Sequence, residues 1–181
     1  MLEDFIITRI RQELSYTPNE GQEALLHKLG AFVISQDKDK IFLLKGYAGT
    51  GKTSLIAAMV RALDKLQQKT ILLAPTGRAA KVISAYSGFS AYTIHKKIYR
   101  QKSLGEFTFS LSYNNHQNTL FIVDEASMIA NQSNENTNFG TGRLLDDLIE
   151  YVYSNQTCSL ILIGDNAQLP PVGQENSPAL N

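Results

Sequence analysis

Gly46-Tyr47-Ala48-Gly49-Thr50-Gly51-Lys52-Thr53 fits the pattern GxxxxGK[ST], and the apolar run 41–44 directly before it has the composition of a buried strand. The glycines let backbone N–H groups face the α- and β-phosphates of a ligand, and Lys52 adds a point charge for the β/γ oxygens. The Thr53 hydroxyl is placed to hold Mg²⁺. The ligand implied is a nucleoside triphosphate, with Gly46, Ala48, Gly49, Thr50, Gly51, Lys52 and Thr53 as its binding residues. The ordinary alternative, a glycine-rich turn with a solvated lysine, leaves the flanking strand and helix patterns without a purpose.

Outward from this loop, the apolar runs 71–74, 120–123 and 160–163 repeat the composition of the first. Helical patterns lie between them: one over 52–66 carries Leu55, Ile56, Met59, Val60 and Leu63, and one runs through Ala79, Ala80, Val82 and Ile83. Apolar strands alternating with helices predict an α/β fold, a three-layer sandwich with a mostly parallel sheet covered on both faces. Each run ends on polar residues at its carboxyl end, the edge where open α/β sheets bind ligands. Upstream, Thr17-Pro18-Asn19-Glu20 predicts a helix start with Thr17 as N-cap, and Ala24, Leu25, Leu29, Phe32 and Val33 then share one face. Phe107, Phe109, Leu111 and Tyr113 alternate with polar residues, which predicts an edge strand or a small hairpin insertion near 105–118. The stretch 131–141, rich in Asn, Ser, Gly and Thr, is expected to be a mobile surface loop.

A chain of 181 residues suits one domain, with an N-terminal helical segment over 1–40 and a core over 41–181. Seventeen basic and seventeen acidic residues cancel, so net charge gives no argument for a nucleic-acid partner. Cys158 is the one cysteine and cannot form an internal disulfide, which fits a reducing, cytoplasmic compartment. No apolar run approaches the ~20 residues of a membrane span. No membrane partner is expected.

A phosphate loop serves many chemistries, so the discriminating residues stand at the ends of the other strands. Asp124 follows the run 120–123, where it can hold the Mg²⁺ that Thr53 also touches. The adjacent Glu125 can face the γ-phosphate and act as general base toward water. Two solvated carboxylates capping a turn are the plainer reading of that pair. Hydrolysis is favoured over transfer to a small molecule, because no acceptor-pocket signature is visible. After the last run comes Gly164-Asp165-Asn166-Ala167-Gln168-Leu169-Pro170-Pro171-Val172-Gly173. Gln168 can hydrogen-bond the attacking water or the γ-phosphate; a proline-stiffened turn with a surface glutamine would look the same.

The loop at 46–53, Ala74-Pro75-Thr76-Gly77-Arg78-Ala79-Ala80-Lys81, Thr93-Ile94-His95, Val123-Asp124-Glu125-Ala126-Ser127 and the 164–173 segment occur in this order. The series resembles the first motor domain of superfamily 1B DNA helicases, the RecD-like and Dda-like group, over about 17–177. That resemblance implies a RecA-like P-loop NTPase that binds ATP and Mg²⁺, with Lys52, Glu125 and Gln168 catalytic. It implies that Gln22 reads adenine, as a glutamine amide can by pairing with N6 and N7. It also implies that Pro75, Thr76, Gly77, Arg78, Lys81, Thr93, His95 and Lys96 contact single-stranded DNA, and that the motor moves 5′ to 3′. Motors of this group close on ATP between two RecA-like domains, the second supplying arginines. None of Arg9, Arg11, Arg61, Arg78, Arg100 or Arg143 stands in a matching position. The chain is therefore expected to be a fragment with weak ATPase activity and no unwinding alone. A stand-alone nucleotide kinase and a non-catalytic nucleotide-binding module are the alternatives left open.

Overall fold

The computed structural model describes residues 2–35, 37, 40–101, 107–132, 138–165, 167–168 and 170–181. At its centre the four expected apolar runs become strands β1 (Ile41–Lys45), β2 (Lys69–Ala74), β6 (Thr119–Val123) and β7 (Ser159–Gly164). A further strand, β3 (Ala91–Thr93), joins at the edge, and the five run in the order β1-β7-β6-β2-β3, all parallel. Side chains alternate between the two faces of such a sheet. Leu120 and Ile122 of β6 therefore enter one core with Ile161 and Ile163 of β7, while Phe121, Val123, Leu160 and Leu162 enter the other.

The first core is closed by helices α1 (Leu2–Gln12), α2 (Glu20–Ile34), α3 (Lys52–Lys65) and α4 (Gly77–Ser87); the second by α5 (Ile94–Ile98) and α6 (Leu144–Tyr153). This is the three-layer α/β sandwich of a P-loop NTPase. Helix α3 carries Leu55, Ile56, Met59, Val60 and Leu63 fully into its core, and that burial fixes the loop from which the helix springs.

Several expectations are corrected. Helix α1 falls in the N-terminal helical segment expected over 1–40, although no apolar face was read for it; it buries Ile6, Ile7 and Ile10. Its presence rotates the buried face of α2, which is Leu26, Leu29 and Gly30, whereas Ala24 is exposed. The cap of α2 is Asn19, not Thr17. The Asn19 side chain accepts from Gln22 N–H at 2.9 Å, and Gln22 Oε1 accepts from Asn19 N–H at 3.1 Å. Val82, expected in the core, is 46% exposed.

The anticipated hairpin exists in part. Strand β4 (Tyr99–Gln101) pairs antiparallel with β5 (Phe109–Leu111), while 102–106 lie outside the described residues. Phe107 and Tyr113 are 83% and 92% exposed, so the apolar alternation extends beyond the strand it was taken to mark. Of the 131–141 stretch, 133–137 lie outside the described residues, and the described ends are anchored. Asn131 Nδ2 donates to Asp146 at 2.9 Å, and the Phe139 ring stacks on Phe109 at 4.6 Å.

Candidate active site

A parallel sheet brings the carboxyl ends of its strands to one edge. Here β1, β6 and β7 deliver the phosphate loop, Asp124-Glu125 and Gly164-Asp165 to the same cleft of about 360 Å³. The loop is tied to its neighbour by a bond from Gly46 N–H to Gly164 O at 3.2 Å. A Cβ at Gly164 would stand 2.8 Å from the Leu180 methyls and 3.1 Å from Ser127 N, so a larger residue would have to displace them. Gly51 opens α3 at φ 83°, a left-handed backbone that other residues adopt only with strain.

The Lys52 ammonium lies along the loop and donates to the carbonyls of Gly46 at 2.5 Å and Tyr47 at 2.7 Å. Two of its three N–H groups are thereby placed, which leaves one to meet a phosphate oxygen. Thr53 Oγ1 stands 3.4 Å from Asp124 Oδ2, so a hydroxyl and a carboxylate converge with the hard oxygen chemistry that Mg²⁺ prefers. Asp124 is 6% exposed. Burial is the largest influence on it and pushes its carboxyl above the ordinary carboxylate range, while the Glu125 backbone N–H pulls the other way. A folded-state value above the unfolded one means that the stabilising contribution is lost as pH rises through that window. Without a cation, the ionised Asp124 is therefore a liability at neutral pH. A divalent ion held by Thr53 and Asp124 would offset it.

Glu125 adopts φ 57°, costing ~1–2 kcal/mol for a residue with a Cβ, and its N–H is held by Asp124 Oδ1 at 2.9 Å. The strain sits where a carboxylate enters the cleft. Gln168 lines the same cleft, and its Oε1 accepts from Ser127 Oγ at 2.7 Å. Ser127 lies two residues beyond Glu125 in the same turn and is buried, so the strand-end acids and Gln168 are mechanically joined. Its part was not read from the sequence, although it lies within the quoted Val123–Ser127 motif. Val82 and Tyr86 also line the cleft from α4. Their i,i+4 spacing was the available signal.

Gln22 reaches the loop from α2: its Nε2 donates to Thr50 O at 3.1 Å, and a Cβ at Gly51 would stand 2.9 Å from that nitrogen. Each end of the amide already carries one bond, and each retains one further hydrogen-bonding position.

The expected DNA contacts separate into groups. Thr76 and Arg78 line a cavity of about 410 Å³ that shares Thr53, Asp124, Glu125 and Gln168 with the cleft. Gly77, Lys81, Thr93 and Lys96 line a groove of about 490 Å³ between α4 and the β3–α5 edge. The hydroxyls of Thr76 and Thr93 cap α4 and α5, accepting from Ala79 N–H at 3.2 Å and Lys96 N–H at 3.3 Å. Pro75 is half-buried where β2 ends. His95 is turned into an aromatic group, 5.2 Å from the Phe139 ring and 5.7 Å from Tyr99, and burial lowers its pKa. It is an imidazole packed among aromatic rings.

This fold, with a lysine loop and strand-end acids on one edge, defines a nucleotide-binding motor domain of the RecA type. The chain belongs to the AAA domain family, which it matches over residues 17–179. It is 30% identical over 188 residues to an uncharacterized protein of Acanthamoeba polyphaga mimivirus, covering 88% of this chain and 34% of that protein. It is 27% identical over 161 residues to the ATP-dependent RecD2 DNA helicase of Deinococcus radiodurans, covering 86% of this chain and 19% of the helicase. It is 30% identical over 134 residues to the multifunctional conjugation protein TraI of Escherichia coli, covering 70% of this chain and 7% of that protein. The chain thus spans about a third or less of these relatives. Together these matches make it a superfamily 1 helicase-like domain. No helix among the described residues is long and apolar enough to cross a membrane.

Proposed function

We propose that this domain binds and hydrolyses ATP as the first motor domain of a DNA helicase that tracks single-stranded DNA 5′ to 3′. The observation that carries the proposal is the shared wall of cleft and cavity: Thr53, Asp124, Glu125 and Gln168 border both the phosphate loop and the cavity edged by Thr76 and Arg78. A change at the γ-phosphate has a short path to the strand.

The roles follow from the geometry. Thr53 and Asp124 would hold Mg²⁺, which with ATP supplies charge neutralisation and an electrophilic γ-phosphorus. Lys52 offers its remaining N–H to the phosphates. Glu125 takes the proton of the attacking water, and Gln168, oriented by Ser127, donates from its amide nitrogen. Gln22 uses its spare donor and acceptor for adenine. Among the described residues that line the phosphate cleft there is no arginine. The positive charge worth about 10³- to 10⁵-fold in related enzymes would come from a second RecA-like domain, so hydrolysis by this domain alone is slow.

Lys81 and Lys96 border the groove, and each is assigned one phosphate. In fluorescence anisotropy with oligo-dT across a salt series, Lys81→Ala and Lys96→Ala are each expected to flatten log K against log[salt] by about 0.7, the single-strand value per phosphate. Unchanged slopes in both variants would remove the groove from the strand's path.

A further inference from the structure

We infer that Tyr92 is a stacking platform for one base of the bound strand, a role that rests on the nucleic-acid reading above and adds to it a contact with a base. Tyr92 lies on β3, one of the two edge strands of the sheet, and is 39% exposed. Its strand neighbours Ala91 and Thr93 line the 490 Å³ groove with it. Gly77, Ala80 and Ser84 of α4 also line this groove, and their side chains are too small to fill it. A flat ligand has room.

The charges around the ring favour a polyanion. Lys96 Nζ and Lys97 Nζ stand 5.7 and 5.8 Å from the ring centroid. Both lie within the reach of attraction between a cation and a ring, about 6 Å, and near its outer limit. Lys81 adds a third cation from α4. Burial and the neighbouring Arg100 both disfavour the charged form of Lys97, and a phosphate alongside would offset them. An exposed aromatic face among cations is the combination by which proteins hold single strands without reading sequence, because every base has a π-face. A duplex hides those faces in its stack, so the ligand is single-stranded.

The chain contains no tryptophan, so Tyr92→Trp places one reporter in the groove. Oligo-dT is expected to quench its emission, whereas an abasic oligomer of equal length is expected not to. In anisotropy titrations Tyr92→Leu should bind oligo-dT about 5- to 140-fold more weakly, the range for one lost stack, and Tyr92→Phe should bind as the native chain does. Binding of the abasic oligomer should be the same for all. If the native chain fails to bind oligo-dT, the nucleic-acid reading itself falls. If it binds and Tyr92→Leu binds equally well, only the stacking role is overturned. Quenching by poly-glutamate as strong as that by oligo-dT would assign the face to an acidic protein partner and likewise overturn it.

Discussion

Replacing Glu125 with glutamine is expected to slow single-turnover ATP hydrolysis by about 10²- to 10⁴-fold, the usual contribution of a positioned general base. ATP affinity is expected to stay within about twofold, because a group used only in the transition state does not alter ground-state binding. The substitution keeps the shape of the side chain and the backbone N–H that Asp124 Oδ1 accepts, so the strained turn at φ 57° survives. A nucleotide kinase or a passive binding module would give other patterns. In a binding module, Glu125→Gln changes neither binding nor the residual hydrolysis rate. Lost binding together with lost turnover would assign Glu125 a structural role instead.

Removing the Asp147 carboxylate is expected to cost about 1–3 kcal/mol of folding stability, since it strands the buried Tyr99 hydroxyl and removes two further bonds to the exposed Thr141. Asp147 is 1% exposed on α6. It accepts from the Tyr99 hydroxyl at 2.6 Å, from Thr141 N–H at 3.0 Å and from Thr141 Oγ1 at 2.8 Å. One carboxylate thus joins α6, the β4–β5 hairpin and the loop that carries Phe139. Burial and the bond to Asp147 raise the Tyr99 pKa far above that of a free phenol. The backbone is shaped to the contact: a Cβ at Gly140 would fall 2.1 Å from Asp147 Oδ2. Urea unfolding of Asp147→Ala should show a lowered midpoint with an unchanged slope, and Asp147→Asn, which keeps one acceptor, a smaller shift. A midpoint within error of the native one would mean that water satisfies these groups.

The phosphate loop and the four apolar strands were legible because each is a local signal, spaced glycines or a run of apolar residues, although β1, expected to be buried, is an edge strand that buries only Leu44. The meeting of Lys52, Thr53, Asp124 and Glu125 was legible too, since parallel strands must deliver their carboxyl ends to one edge. What escaped depended on partners distant in sequence or on weak segments. Strand β3 is only Ala-Tyr-Thr, with no apolar run to announce it. Helix α1 also exposes Leu2 and Phe5, which blurs its apolar face. Thr17-Pro18 offered a cap signal that outweighed Asn19, although Gln22 three residues on completes the box for Asn19. The packing of His95, placed near the strand by resemblance, was not legible because Phe139, the ring against it, lies in a loop far along the chain.

Calorimetric titration of ATP, with Mg²⁺ and then with a chelator, into the native chain and Asp124→Asn tests the central claim most directly. The expected result is an affinity gain of about tenfold or more from Mg²⁺ in the native chain, about 1.4 kcal/mol, that is absent from Asp124→Asn. The same variant, freed of a buried ionised carboxylate, should be at least as stable as the native chain at neutral pH without the cation. Equal affinity with and without Mg²⁺ in the native chain, or a full Mg²⁺ gain retained by Asp124→Asn, would contradict a triphosphate and its metal held between the loop and the strand-end acids.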